Sequence, residues 1–391
     1  METTRQARMN DTSVVRMLYM ALELSASKWK VAIADGQRAP SQHTVAAGDT
    51  SGLVQVVEKA KKRCGLHGAV TVLSCYEAGR DGFWLHRWLL EQGIDNVVVD
   101  SSSIEVKRRA RRAKSDALDA AKLYEMLIRH RAGEKRLWRV VRVPSLQHED
   151  ERRMHRELER LKRERNAHVN RIRGLAVLHN VRVQRVGGRG WGERVQQLQA
   201  QLPAALWAEI EREGVREQLV WQQIQALEKA RQEQVKSLIE EQAKTSSQGQ
   251  AKSASEQALL ALLKLRGVGL TSAWLLAHEL FGWRRFGNRR QVAGCVGLNP
   301  SPYDSGDSQR EQGISKAGNR RVRALLVELA WYWLRYQPHS ALSEWFTRRF
   351  AAGGKRMRRI GIVALARRLL IALWRYLEHG VIPQGAQLKS A

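Results

Sequence analysis

"RMLYMALELSASKWKVAIAD", residues 16–35, decides how the first third of this chain is read. Residues 16–24 and 28–35 are two largely apolar runs of strand length, and the Ser-Ala-Ser between them is a tight turn. Working outward, "GLVQVVEKAKKR" (52–63) has helical spacing and "AVTVLSCY" (69–76) is rich in β-branched residues. "GFWLHRWLLEQG" (82–93) is helical again, and "NVVVD" (96–100) is a short buried strand. The order β-β-(extended)-α-β-α-β-α predicts a mixed sheet with helices on its faces.

After Pro144 the texture changes. Residues 146–178 and 206–244 are nearly all helix formers with both signs of charge interleaved, separated by the glycine-rich "VGGRGWG" (186–192). They predict two long helices, an antiparallel pair or a coiled-coil arm, with a solvated helical spacer as the alternative because the apolar heptads are imperfect. "KTSSQGQAKSASEQ" (244–257) is expected to be a flexible linker, and 258–391 a helical section punctuated by glycine. The expected domains are therefore 1–140, 141–257 and 258–391.

Charge narrows the partners. Lys and Arg number 67 against 39 Asp and Glu, a net charge of +28 that repels itself unless a polyanion neutralises it. Nucleic acid is the expected partner. Cys64, Cys75 and Cys295 are odd in number and never in C-x-x-C spacing, which argues against a disulfide framework and against a zinc site. The first twenty residues lack a signal-peptide core, and the apolar stretch 360–374 is broken by Arg367 and Arg368. No membrane association and a cytoplasmic location follow as expectations.

Four acids stand where phosphodiester chemistry would want them. Asp116 and Asp119 in "KSDALDAAKL" (114–123) are spaced i, i+3, so both project from one helix face with Cβ atoms about 5–6 Å apart. Glu23 sits near the end of the first strand and Glu77 directly follows the strand 69–76. Strand ends and a packing helix converge on one edge of an α/β sheet, and carboxylates gathered there would hold Mg²⁺. Asp116 as a first-turn acid and Asp119 paired with Lys122 is the plainer reading of those two residues alone. Asp35 and Asp100, also near strand ends, more simply close strands and start turns. Just upstream, Lys107, Arg108, Arg109, Arg111, Arg112 and Lys114 form a run suited to DNA phosphates.

In the last section, "LLKLRGVGLTSAWLLAHEL" has the pattern of a helix-hairpin-helix. Gly267 and Gly269 permit the turn, and backbone N–H groups at the second helix would hold a phosphate. "GLNPSPYDSGDSQREQGISKAGN" (297–319) is expected to be a Gly/Pro/Ser-rich loop, followed by helices rich in Arg and Trp. Of the tryptophans there, which include Trp331, Trp333, Trp345 and Trp374, most are expected to be packing anchors, with base stacking the minority reading.

Together these segments resemble the DEDD transposases of the insertion-sequence 110 family, through "CYEAGRDG", "KSDALDAAKL" and "SGDSQREQGISKAGNRRVRALL" in that order. The resemblance implies an RNase H-like (RuvC-like) domain with an acidic tetrad running Asp, Glu, Asp-x-x-Asp. Glu77, Asp116 and Asp119 match its last three members, and Glu23 falls where the family has Asp. It also implies a C-terminal transposase domain whose serine before glycine is the nucleophile. Ser305 matches, with Ser308 and Ser301 as further candidates, and Lys316, Arg320, Arg321 and Arg323 are close enough in sequence to stabilise charge on the phosphate. No His lies beside Ser305, so a Ser-His-Asp triad is not supported. The implied activity is insertion-sequence recombination on donor and target double-stranded DNA with Mg²⁺, guided by a noncoding bridge RNA, in a homodimer or homotetramer. Two rivals use the same residues: a RuvC-type metal-dependent endonuclease with water as nucleophile, and a noncatalytic nucleic-acid-binding relic.

Overall fold

Residues 16–34 fold as two strands, β1 (Arg16–Leu24) and β2 (Lys28–Ala34), paired antiparallel. The turn between them is closed by the Ser25 hydroxyl donating to the Lys28 carbonyl at 2.6 Å. A computed structural model describes residues 16–104, 116–134, 137–188, 190–244, 252–305 and 308–389, with the backbone alone for 302–305 and 308–311. The basic run 107–114 lies outside the described residues. The chain divides into two compact units, Met1–Val143 and Pro144–Ala391.

In the first unit, β3 (Ser41–Ala46), α1 (Thr50–Arg63), β4 (Val70–Glu77), α2 (Trp84–Glu91), β5 (Ile94–Val99) and α3 (Asp116–Arg131) follow. The five strands form one mixed sheet ordered β3-β2-β1-β4-β5, antiparallel among β1, β2 and β3 and parallel from β1 through β4 to β5. Strand alternation sends Leu18, Met20, Leu22, Val31, Ile33, Val72 and Tyr76 to one face, where they pack with Leu53 and Val57 of α1 and Leu85 and Leu89 of α2. The opposite residues, Ala21, Ala32, Ala34, Leu73, Cys75 and Val99, pack with Ala120, Leu123, Tyr124 and Leu127 of α3. Both faces are covered, which is why these strands read as nearly continuous apolar runs. Three alanines on the α3 side leave room for the helix to lie close to the strands.

The second unit begins with α4 (Leu146–Asp150), α5 (Arg153–Val177), α6 (Trp191–Gln201) and α7 (Ala204–Lys244). α5 and α7 are an antiparallel pair, because partners on α7 fall in number as those on α5 rise. Lys162 meets Glu228 at 2.6 Å, Arg165 meets Glu217 at 2.7 Å, and His168 meets Glu213 at 2.6 Å. Leu158, Leu161, Val220 and Ile224 form the apolar seam between the two helices.

The remaining elements are α8 (Ala254–Leu263), α9 (Leu270–Leu276), α10 (Arg289–Cys295), β6 (Pro300–Ser305), β7 (Ser308–Ile314), α11 (Arg320–Tyr336), α12 (Ala341–Phe346) and α13 (Lys355–His379). α8 and α9 flank the turn expected from the sequence, with Gly267 at φ +88° against Tyr336. Two expectations change. The linker expected through 257 ends earlier, since Ser253 and Glu256 make a reciprocal capping box that starts α8 at Ala254. The loop expected over 297–319 contains an antiparallel hairpin, β6 with β7.

One buried carboxylate ties this unit together. α9 widens into a π-helical turn over Ala277–Phe281 that carries Glu279 into the interior. His155 Nε2 donates to it at 2.9 Å, Arg156 donates at 2.7 and 3.0 Å, and Asn319 Nδ2 donates at 3.0 Å. Burial alone would push this carboxyl up, but the hydrogen bonds from His155 and Arg156 outweigh that and hold it well below the usual carboxylate range. A depressed carboxyl stabilises the fold above its unfolded value of 4.5 and loses that contribution as pH falls through its folded value.

Glu279→Gln should therefore destabilise the protein at pH 7 by about 3 kcal/mol, the low end for a buried pair because Arg156 stays partly solvated. In denaturant unfolding the gap between variant and parent should narrow as pH drops below 4.5; a gap that widens on acidification would contradict the network.

Candidate functional site

The parallel register of β1 and β4 pairs Leu22 with Tyr76, so Glu23 and Glu77 are the next residues on neighbouring strands, at their C-terminal ends. Strand parity gives both acids the face occupied by Ala21 and Cys75, the face that α3 covers.

α3 brings Asp116 and Asp119 to the same end. Cys75 Sγ contacts the Leu123 carbonyl at 3.7 Å, and the Tyr124 hydroxyl accepts from the Gly36 backbone N–H, just beyond the C-terminal end of antiparallel β2. The helix therefore runs opposite to β1 and β4. Four helical residues from Leu123 back to Asp119 rise about 6 Å, and two strand residues from Cys75 on to Glu77 rise about 6.6 Å. Asp119 is thus level with Glu77. Asp116 and Asp119 stand one turn ahead of the buried Ala120 and Leu123, so they continue the sheet-facing stripe into solvent, Asp116 exposed and Asp119 half-buried. As first-turn acids they also suit the helix dipole, with Arg129, His130 and Arg131 at the far end.

The other two acids near strand ends do turn work. Asp35 accepts from the backbone N–H groups of Gln37 and Arg38 at 3.1 and 3.0 Å. Although burial pushes it up, these donors hold its carboxyl below the usual value. Asp100 caps the turn at Ser101–Ser103 by accepting from the Ser102 N–H at 3.0 Å.

Glu23, Glu77, Asp116 and Asp119 offer only carboxylate oxygens, the donors that Mg²⁺ prefers, and they share one sheet edge. In identity and placement they suit such an ion. Their side chains are not drawn around a common point, since no three His, Cys, Asp or Glu among the described residues form a ligand set.

The predicted nucleophile lies in the second unit. Ser305 ends β6 and pairs in register with Ser308, which begins β7. The Gly-Asp between them in sequence is a two-residue hairpin signal that the broader Gly/Pro/Ser composition of the segment obscured. The base of this hairpin is built by backbone against backbone. Ser315 N–H donates to the Asn299 carbonyl at 2.8 Å, Lys316 N–H to Gly297 at 3.1 Å, and Asn319 N–H to Cys295 at 2.9 Å. A Cβ on Gly297 would overlap the Ala317 carbonyl, and one on Gly318 would overlap that of Cys295. Asn319 then caps α11 through Val322 N–H while its amide donates to Glu279, an anchor that the sequence reading missed.

The four cations after the hairpin divide. Lys316 and Arg320 are exposed. Arg321 is ion-paired with Glu159, and Arg323 donates to the Val296 carbonyl at 2.7 Å, so both also hold structure. Burial, then the nearby Arg320, lowers the Arg323 guanidinium below its usual value. Gly269 caps the short α9, and Gly267 supplies the left-handed turn before it.

Kinship with known proteins fits this layout. Residues 260–343, which contain the hairpin and α11, match the model described as "Transposase IS116/IS110/IS902 family". A Sinorhizobium fredii protein named "Putative transposase y4rJ" is 40% identical over 384 residues, 95% of this chain and 95% of that protein. A second from the same organism, "Putative transposase y4qE", is 32% identical over 68% of this chain and 60% of its own length. The "Transposase for insertion sequence element IS1328" of Yersinia enterocolitica is 31% identical over 24% of this chain and 28% of its own. A relative matched along nearly its whole length defines the class as a DNA-processing transposase. The chain belongs to the IS116/IS110/IS902 family. No helix among the described residues is long and apolar enough to cross a membrane.

The close packing under the hairpin is testable. Gly318→Ala, with φ +96° and an overlap against Cys295, should cost well over 2 kcal/mol in unfolding free energy. Gly313→Ala, at φ +84° in open space, should cost only about 1 kcal/mol. Equal costs would refute the packing argument.

Proposed function

We propose that this transposase cuts and rejoins donor and target double-stranded DNA with Ser305 as nucleophile, aided by Mg²⁺ held by Glu23, Glu77, Asp116 and Asp119. A noncoding guide RNA selects the sites. The observation that carries the reading is the meeting of four acids at one edge: two on the ends of adjacent parallel strands and two on the first turn of the helix covering them. The sheet order β3-β2-β1-β4-β5, antiparallel in its first half and parallel in its second, supports an RNase H-like domain. Membership of a transposase family, with the whole chain matched, supports DNA as substrate.

In this reading the Ser305 hydroxyl oxygen attacks phosphorus, and the bond to the 3′-oxygen breaks. The strand keeps its 5′-phosphate as a serine ester, and the proton lost from serine ends on the released 3′-hydroxyl. A 3′-hydroxyl from the exchanged strand then attacks the same phosphorus and returns serine to its free form, so no phosphate bond energy is lost. Mg²⁺ would supply Lewis-acid polarisation of the phosphate oxygens. Lys316 and Arg320, exposed at the hairpin base, neutralise phosphate charge, and the turn between α8 and α9 acts as a helix-hairpin-helix on the backbone. The run from Lys107 to Lys114, just before Asp116 in sequence, grips phosphates. Acids and serine belong to separate units of the chain, which supports a homodimer or homotetramer in which subunits share a site.

The test incubates full-length protein with RNA from beside its gene, Mg²⁺ and end-labelled donor and target DNA. A protein–DNA adduct should survive denaturation and fall on the order of 10³-fold or more in both Ser305→Ala and Asp116→Asn. Cleavage without adduct, untouched by Ser305→Ala, would replace the recombinase with a metal-dependent nuclease.

A further inference from the structure

From Trp345 to Leu377 the chain carries nine Lys or Arg and no Asp or Glu, where average composition would supply about three acids. Six of the nine, Arg348, Arg349, Lys355, Arg356, Arg358 and Arg359, crowd into the hairpin between α12 and α13, and all six are exposed. No carboxylate pairs with any of them among the described residues. This contrasts with α5 and α7 in the same unit, where cations are matched by glutamates.

The frame that displays these charges is rigid. A π-helical turn over Thr347–Ala351 tucks Phe350 into the core, packed edge-on against Trp345 with ring centroids 5.4 Å apart, and Gly361 leaves the space Phe350 fills. Arg368 lies over the Trp345 ring at 3.9 Å. Burial, and then the neighbouring Arg349, push its guanidinium below its usual value. Four cations in the first turns of α13 also oppose the helix dipole, which favours acids there. Folding has thus fixed like charges side by side at a cost that a polyanion would remove.

We infer that the α12–α13 hairpin is a second DNA-binding surface, gripping the phosphate backbone of duplex DNA outside the segment matched by the family. That segment ends at residue 343. The inference rests on the reading of the chain as a DNA recombinase. Duplex rather than single-stranded nucleic acid is the partner because the hairpin lacks stacking platforms. Its exposed large apolar residues are Met357 and Ile360, whereas Trp345 is half-buried and Phe346 and Phe350 are buried. Its charged side chains are Arg and Lys with no acid among them, the residue types that grip backbone phosphates.

The experiment measures binding of full-length protein to a random-sequence 30-base-pair duplex and to a single-stranded RNA of equal length across a salt series. The triple variant R356Q/R358Q/R359Q is compared with R356K/R358K/R359K. With the duplex, the glutamine variant should lose roughly tenfold or more in affinity, and its slope of log K against log salt should flatten by about two to three units. The lysine variant should keep the slope, and both should melt like the parent. A parent that binds duplex with an unchanged slope in the glutamine variant overturns this surface and leaves the recombinase reading standing. A slope lost on RNA but not on duplex overturns the assignment to DNA. A parent that binds no duplex overturns both.

Discussion

Sixty-seven cations and thirty-nine carboxylates set the constraint under which this chain folds. Each carboxylate used to hold structure is unavailable to a metal, and each cation left unmatched adds to self-repulsion. The second unit uses its acids internally. Glu209, Glu213, Glu217 and Glu228 tie α7 to α5, Glu159 holds Arg321, and Glu279 joins α5, the turn after α9 and the cap of α11. Apart from Arg165–Glu217, whose carboxylate is buried, the pairs on the long helices are partly exposed and individually contribute little. Glu279 is different, because its donors come from both α5 and the cap of α11 and its charge cannot be solvated otherwise.

The first unit carries four acids at one end of its sheet, Glu23 and Glu77 on strands and Asp116 and Asp119 on α3. Its sheet is held by apolar residues on both faces, so no ion pair is needed to dock α3. Register and helix rise bring the four acids to that end. Asp35 and Asp100, near the same strands, are held by turn N–H groups. Glutamate at position 23 reaches one methylene further than aspartate, from a strand end whose antiparallel neighbour Lys30 donates to Thr44 at 2.6 Å.

The sheet was legible because its signals are local. Strand length, the Ser-Ala-Ser turn and the run of β-branched residues at 69–76 are all properties of a few adjacent residues. The i, i+3 spacing of Asp116 and Asp119 was visible for the same reason, as was the glycine turn at 267. What escaped depends on distant contacts. Nothing near Glu279 announces that His155, Arg156 and Asn319 will surround it, and "AHELF" gives no sign of a π-helical turn. The hairpin of Ser305 and the capping box of Ser253 were misread for another reason: both carried a short-range signal within segments whose overall composition suggested loop.

These two modes of legibility bear on where change can be tolerated. The acidic edge depends on side chains at positions that the sheet fixes through many redundant apolar contacts, so the scaffold should absorb single core substitutions without moving the acids far. The serine hairpin depends on a few close backbone approaches at Gly297 and Gly318 and on one amide, Asn319, that answers to both α11 and Glu279. A cavity in the first unit costs stability in proportion to its size. A side chain added under the hairpin has no space to enter, so it must displace the backbone that leads into the serine strand. The segment leading into Ser305 is therefore constrained by packing, and it lies within residues 260–343, which the family model matches.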